Sequence, residues 1–295
     1  MSISGKDKSI RYVVVTPARD EARHIRETIG SLVQQTIRPV EWVIVDDGST
    51  DGTGEIVEHF AAKYFWIRAL HRSNRGTRQN ATGVMEAFYC GYQSLKTADW
   101  DFIVKLDGDV SLDANYFENC FQQFQENPNL GIGGGLICHL ENGVLKVESC
   151  PRFHVRGATK IYSRACWDAI GGLLRVPGWD TVDEVKANML GWQTRTFQNL
   201  KVLHHRRTGA ADGGWRNSVK DGHADYISGY HPLFMGLKCI KRLFQRPYFV
   251  GSLGLLYGFV SDHVKRAPQV GDRALIRYVR RQQLRRLLLL DSIWK

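Results

Sequence analysis

Over the first 125 residues, short apolar runs alternate with stretches in which apolar residues recur at helical spacing. Tyr12-Val13-Val14-Val15-Thr16 is β-branched and nearly continuous, the pattern of a buried strand. Pro17 to Asp20 reads as a loop. Glu21 to Gln34 reads as a helix, with Ile25, Ile29 and Leu32/Val33 on one face. The same alternation continues with a strand at Trp42 to Val45, a helix at Thr53 to Tyr64 and a strand at Ile67 to His71. A helix at Thr82 to Leu95, a strand at Phe102 to Leu106 and a helix at Ala114 to Gln125 follow. Strands alternating with helices through short connections predict an α/β fold with a mostly parallel, doubly wound sheet and flanking helices. Such sheets bind ligands at the carboxyl ends of their strands. Thr16-Pro17, Asp46-Asp47 and Asp107-Gly108-Asp109 all stand at strand ends.

Residues 131–170 are strand-like and Gly-rich. Trp167 to Gly172 leads to a helix at about Val182–Leu190, capped by Gly191, and Lys201 to His205 reads as a late strand. From about Tyr230, Pro232, Pro247 and Pro268 punctuate apolar and basic segments. The expected organisation is a catalytic domain over 1–229, with a nucleotide-binding half at about 10–110 and an acceptor half at about 111–229. A helical extension over 230–295 follows it.

Charge changes this picture only at the end of the chain. The formal net charge is +10. Residues 238–295 hold thirteen Lys and Arg against Asp262, Asp272 and Asp291, which accounts for all of it. The preceding body is near neutral, so no nucleic-acid partner is expected. Basic and apolar residues together in the tail instead suit an anionic membrane surface; a helical cap on the domain or an oligomer contact is the plainer alternative. The uncharged run Tyr248 to Ser261 has 14 residues, short of the ~20 that a span requires. Six scattered cysteines without a C-x-x-C pair read as reduced thiols. No signal-peptide pattern opens the sequence. The expected location is cytoplasmic, peripheral on the inner face of the membrane.

The chemistry-bearing positions start with Asp107-Gly108-Asp109. Two carboxylates one residue apart at a strand end can hold a hard divalent cation, which neutralises charge on a leaving diphosphate. Asp46-Asp47-Gly48-Ser49-Thr50-Asp51 follows the second strand. A carboxylate there can accept the imide hydrogen of a uracil ring, and Asp51 or Ser49 can equally cap the next helix.

The ordered set Val13-Val14-Val15-Thr16-Pro17-Ala18-Arg19-Asp20-Glu21, Val45-Asp46-Asp47-Gly48-Ser49-Thr50-Asp51-Gly52-Thr53, Asn74-Arg75-Gly76 and Leu106-Asp107-Gly108-Asp109 resembles glycosyltransferase family 2 over roughly residues 10–210. The resemblance implies the GT-A fold and an inverting mechanism with a nucleotide-diphosphate sugar, UDP favoured, and Mn²⁺ or Mg²⁺. It implies that Thr16, Pro17 and Glu21 line the base and ribose region and that Asp47 reads the base. Asp107 would sit by the ribose, and Asp109 would be the main metal ligand.

Inversion requires a general base opposite the leaving group. Family members carry Glu-Asp upstream of a Gly-aromatic pair. Counting back from Gly191-Trp192 lands on Trp179-Asp180, which makes Asp180 the candidate base, with Asp183 and Glu184 as runners-up. Trp179 replaces the usual Glu and is a candidate stacking platform for the acceptor. His204-His205-Arg206-Arg207 returns basic groups after a strand. Either histidine can complete a metal shell, and a neighbouring arginine can hold a diphosphate. Arg75 and Arg78 are further donor-binding candidates.

Two enzyme classes fit less well. A sugar-phosphate nucleotidyltransferase needs a Gly-rich phosphate loop after the first strand, and Thr16 to Glu21 contains no glycine. A processive synthase carries membrane spans and Gln-x-x-Arg-Trp, whereas Gln282-Gln283-Leu284-Arg285-Arg286 lacks the Trp. A non-processive enzyme acting on a glycan or lipid-linked acceptor is therefore expected. A catalytically inactive scaffold, or a membrane- or nucleic-acid-binding protein, is the alternative.

Overall fold

Strand β1 (Tyr12–Ala18) runs between β2 (Glu41–Asp46) and β4 (Phe102–Leu106), parallel to both, and β3 (Ile67–His71) continues the parallel set beyond β2. In this computed structural model, residues 10–74, 76, 82–148, 150–206, 213–245 and 248–294 are described. The remaining strands are β5 (Val110–Leu112), β6 (Leu130–Glu141), β7 (Val144–Val147), β8 (Thr159–Ser163) and β9 (Gln193–His204). The sheet order is β3-β2-β1-β4-β8-β6-β9-β5, with β7 on β6. The sheet is parallel through its first half and mixed in its second, where β8 is antiparallel to β4 and β6, and β5 is antiparallel to β9.

Alternation along β1 divides the core into two layers. Tyr12, Val14 and Ala18 pack with Ile25, Ile29 and Leu32 of α1 (Ile25–Val33), Val57 of α2 (Thr53–Lys63) and Phe117 and Phe121 of α4 (Tyr116–Glu126). Val13 and Val15 pack on the other side with Met85 and Phe88 of α3 (Thr82–Gln93), Trp167 of α5 (Arg164–Ile170) and Trp179 and Ala187 of α6 (Trp179–Met189). Each such fully buried side chain contributes about 1.5–3 kcal/mol.

Three elements differ from the sequence reading in ways that shape the site. The first helix begins at Ile25, because Glu21 to His24 form a turn closed on the Glu21 carbonyl. Helix α6 begins at Trp179, before the expected Val182. Gly178 takes a left-handed φ of 76°, and its carbonyl accepts from Thr181 and Val182, which brings Asp180 into the first turn. Strand β9 is far longer than Lys201–His205. Its outward side chains Gln193, Arg195 and Gln198 are polar and exposed, so its upstream part carries no continuous apolar signal.

Helices α7 (Gly214–Ile227), α8 (Pro232–Leu243), α9 (Val250–Lys265) and α10 (Arg273–Leu287) share a third core. In it, Tyr226, Leu255, Phe259 and Leu275 join Val182 and Val185 of α6. Helices α7 and α9 touch backbone to backbone. A methyl group on Gly222 would lie 2.1 Å from the Leu255 carbonyl oxygen, and one on Gly258 would lie 2.1 Å from that of Val219. Gly258→Ala therefore forces the helices apart, with an expected destabilisation of about 1–3 kcal/mol in denaturant unfolding. Wild-type stability for this variant would disprove the close packing.

Candidate active site

The site is built where β1, β2, β4 and β9 end. Beyond β2, the chain turns at Gly48, whose φ of 72° and close approach to Asn74 admit no side chain; a methyl group there would lie 2.5 Å from the Asn74 Cα. Asp46 holds this turn, accepting from Ser49 N–H at 2.9 Å and meeting His71 Nδ1 at 3.1 Å. Asp51 accepts from the Ala22 and Thr53 N–H groups and so ties the turn to the segment after β1. Asp47 is buried, with Arg72 Nη1 donating to its Oδ1 at 2.7 Å. Asp46 is thus a scaffold of the loop, and Asp47 is held by an arginine that the sequence reading did not single out. Thr16 is fully buried and its hydroxyl accepts from the Trp42 indole at 3.0 Å. The alternation of β1 turns Thr16 into the core, away from the donor region expected for it, and Pro17 onto the opposite face. Arg75 and Arg78 lie outside the described residues.

Past β4, the loop Asp107-Gly108-Asp109 is fastened at both ends. Asp107 N–H donates to Ala158 O at 2.8 Å, and His205 N–H donates to Asp109 O at 2.9 Å. Pairing of β5 with β9 sets Val110 opposite His204. One ligand atom each from Asp107, Asp109 and His204 lie within 4.8 Å of one another. His204 Nε2 is 3.2 Å from Asp109 Oδ1, while His204 Nδ1 and Glu21 Oε2 are buried with no partner among the described residues. Two carboxylates, an imidazole and orphaned polar atoms suit a divalent cation. Of the two histidines, His204 joins this cluster. His205 instead bonds Ser111 Oγ at 2.7 Å and stacks on His24.

Electrostatics holds Asp109 charged. Burial opposes ionisation, but His204, Arg206 and Lys105 outweigh it and keep its carboxyl below the ordinary value. Glu21 is pushed up to about 7, by burial first and then by Asp109, against the Arg206 guanidinium that bonds it. Arg206 also reaches Asp109 Oδ2, at 3.1 Å.

A cleft of about 220 Å³ joins this cluster to α6, with Asp107, His204, Lys105, Arg156, Trp179 and Asp180 among its walls. The three candidate bases separate here. Asp183 and Glu184 are buried and fully engaged. Lys160 Nζ lies 2.9 Å from Asp183 Oδ1 and 2.9 Å from Glu184 Oε1, and His154 Nδ1 is 2.8 Å from Glu184 Oε2. Asp180 lines the cleft, and among the described residues its carboxylate takes no hydrogen bond. Burial again works against its charge, but His154, Lys160, Arg156 and Lys105 together hold its carboxyl below the ordinary value of 3.8. Trp179 is only 7% exposed. It packs against Gly157, with Lys105 and Lys160 each 5.4 Å from its ring, so it walls the cleft and presents no open face for stacking. Lys105 donates to Asp107 and to Gly157 O. Its only sequence signal is a lysine inside a buried strand two residues before the Asp pair.

The chain matches glycosyl transferase family 2 over residues 13–164 and belongs to that family. It is 32% identical over 113 residues to glycosyltransferase GlyG of Streptococcus pneumoniae serotype 4, a match covering 38% of this chain and 35% of that one. It is 29% identical over 123 residues to EpsJ of Bacillus subtilis, an uncharacterized glycosyltransferase, with 41% and 33% covered. It thus spans about a third of these curated relatives. Among solved structures, S. aureus TarS superposes with a TM-score of 0.55 at 16% identity, over 86% of this chain and 43% of that one. The mannosyltransferase PcManGT of Pyrobaculum calidifontis, in complex with GDP-Man and Mn²⁺, gives 0.53 at 16%, over 96% and 76%. GalNAc-T7, with UDP, GalNAc and Mn²⁺, gives 0.61 at 13%, over 98% and 56%. The mixed sheet with flanking helices is the GT-A fold that these neighbours share.

Removing the Lys160 ammonium leaves buried carboxylates uncompensated. Lys160→Ala is expected to cost about 3–5 kcal/mol, read as a lowered midpoint in denaturant unfolding; a change under about 1 kcal/mol would contradict the buried pairing.

Proposed function

We propose that the protein is an inverting, metal-dependent, non-processive glycosyltransferase. It would move a sugar from a nucleotide-diphosphate sugar, UDP favoured, to a hydroxyl of a lipid-linked or cell-surface glycan. The observation that carries this reading is the shared cleft. Asp180 stands in it with Asp107 and His204, so a candidate base and a candidate diphosphate site face one small space.

A bound Mn²⁺ or Mg²⁺, held by Asp107, Asp109 and His204, would supply positive charge to the leaving diphosphate. Arg206 adds a guanidinium beside the same carboxylates and suits phosphate oxygens. Asp47 and the turn around Gly48 frame the base, with Pro17 and Glu21 beside it. The acceptor oxygen forms its bond to the anomeric carbon as the bond to the nucleotide oxygen breaks, and Asp180 takes the hydroxyl proton. His154 and Lys160, with Arg156 and Lys105, lower the cost of keeping Asp180 ionised. The C-terminal extension, read as residues 230–295, would meet an anionic membrane surface and hold the enzyme peripherally on the cytoplasmic face, near a lipid-linked acceptor.

Two measurements test this. Thermal stabilisation by UDP, GDP or dTDP should need Mn²⁺ and should vanish in Asp109→Ala; no stabilisation of folded protein by any nucleotide would refute the donor site. Asp180→Asn should bind nucleotide normally and lose about 10²–10⁴ in kcat. A depressed carboxyl pKa keeps the base ionised until the pH falls through it, so its protonation should cut kcat only below the ordinary value of 3.8. A limb near neutrality that Asp180→Glu shifts would overturn that assignment.

A further inference from the structure

Helices α8 and α9 turn large apolar side chains outward. On α8, Leu233, Leu237 and Ile240 recur at helical spacing and Phe244 continues the line past the helix end, 77% exposed. On α9, Leu253, Leu256, Tyr257, Val260 and Val264 form a second stripe, Val264 being 73% exposed. Exposed Tyr248 and Phe249 stand at the start of α9. An apolar surface of this kind is rare on a protein that meets only water.

The exposure is built in. The inward face of α9 carries Gly254 and Gly258 in backbone contact with α7, so the helix cannot roll its outer stripe inward without losing that contact. The exposed charge on the two helices themselves is basic, and the nearby acid Asp221 of α7 pairs with Arg242 of α8. Helix α8 has no Asp or Glu, and the only acid on α9, Asp262, is buried with His223 Nδ1 at 2.7 Å. Lys241, Lys265 and Arg266 are exposed beside the stripes. No helix among the described residues is long and apolar enough to cross a membrane. The 16 residues of α9 span about 24 Å, against a hydrocarbon core of about 30 Å.

We propose that the α8–α9 surface is an in-plane docking face for an anionic lipid bilayer, with the two stripes at the headgroup–acyl boundary and Lys241, Lys265 and Arg266 on the lipid phosphates. This rests on the membrane reading above and assigns the contact to these two helices, not to the more basic α10. It also sets the cleft one helix from the lipid. Helix α7 touches α9 on one side and, through Ala224 and Ser228, Gly178 on the other, two residues from Asp180. An acceptor anchored in the bilayer would then approach along α7.

The test is flotation of the full chain with vesicles of phosphatidylcholine containing about 30% phosphatidylglycerol, or of phosphatidylcholine alone. Wild type should float with the anionic vesicles and much less with the neutral ones. Leu253→Ser/Val260→Ser should lose roughly tenfold in partitioning, and Lys241→Glu/Lys265→Glu should lose a similar factor. Both should keep the Mn²⁺-dependent nucleotide shift, which shows that they fold. Arg277→Glu/Arg281→Glu on α10 should float as wild type. If the α10 variant loses binding and the stripe variant does not, the protein is peripheral but this face is not its contact. If wild type floats with neither vesicle, the membrane reading fails as well. A wild-type dimer in solution that the stripe variant dissolves, without flotation, would give the face to a second copy of the chain and overturn the proposal.

Discussion

The ammonium group of Lys160 is fully shielded from water, and its partners all lie on α6: the Asp183 and Glu184 carboxylates and the Asp180 carbonyl. An isolated buried ammonium costs several kcal/mol, so the pairing must be made for β8 and α6 to coexist. Tyr162 adds a hydroxyl to Asp183, and His154 adds a ring nitrogen to Glu184. Burial alone would discharge His154, but Glu184 holds it protonated more readily than an ordinary imidazole. The consequence is positional. The start of α6 is fixed to the central sheet by polar contacts whose geometry is narrow, and Asp180 inherits that fixity.

The same logic explains how two chain segments far apart in sequence make one cleft. Asp107 and Asp109 sit at the end of a parallel strand, where a doubly wound sheet opens. His204 ends β9, which enters the sheet beside β6 and pairs with β5, and Arg206 follows two residues later. Burial first, and then the neighbouring Asp109 carboxylate, raise Glu21. At Asp109, His204, Arg206 and Lys105 outweigh the cost of burial. Two carboxylates and an imidazole placed in this way suit a divalent cation.

The C-terminal helices obey a different constraint. Glycines on α7 and α9 bring two backbones into contact, which uses the small-residue face for packing and leaves the large apolar residues outside. The mass of the third core is modest, but it reaches Val182 and Val185 on α6. The tail and the helix that carries Asp180 therefore share one core.

The parallel half of the sheet was legible in the sequence because β1, β2 and β4 are almost wholly buried and the helices between are amphipathic, so periodicity alone placed β1 to β4 and the strand-end carboxylates. The family resemblance ranked Asp180 above Asp183 and Glu184, by spacing from Gly191-Trp192. It could not assign partners. Thr16 looked like a donor contact, but strand alternation turns it to Trp42. Trp179 looked like an open ring, but it is walled in by Gly157 and two lysines. His204 and His205 were equivalent until the pairing of β9 with β5 pointed one at Asp109 and the other at Ser111 and His24. Lys160, Arg156 and Arg72 carry no local signal, since a lysine or arginine is recognised as structural only when its carboxylates are brought to it. What the sequence determined by itself is the alternation of strands and helices, the family and the strand-end acids, because these depend on contacts within a few residues. Which side chains meet in the cleft, and which apolar residues stay outside, was decided by tertiary structure, because those contacts join residues about a hundred positions apart.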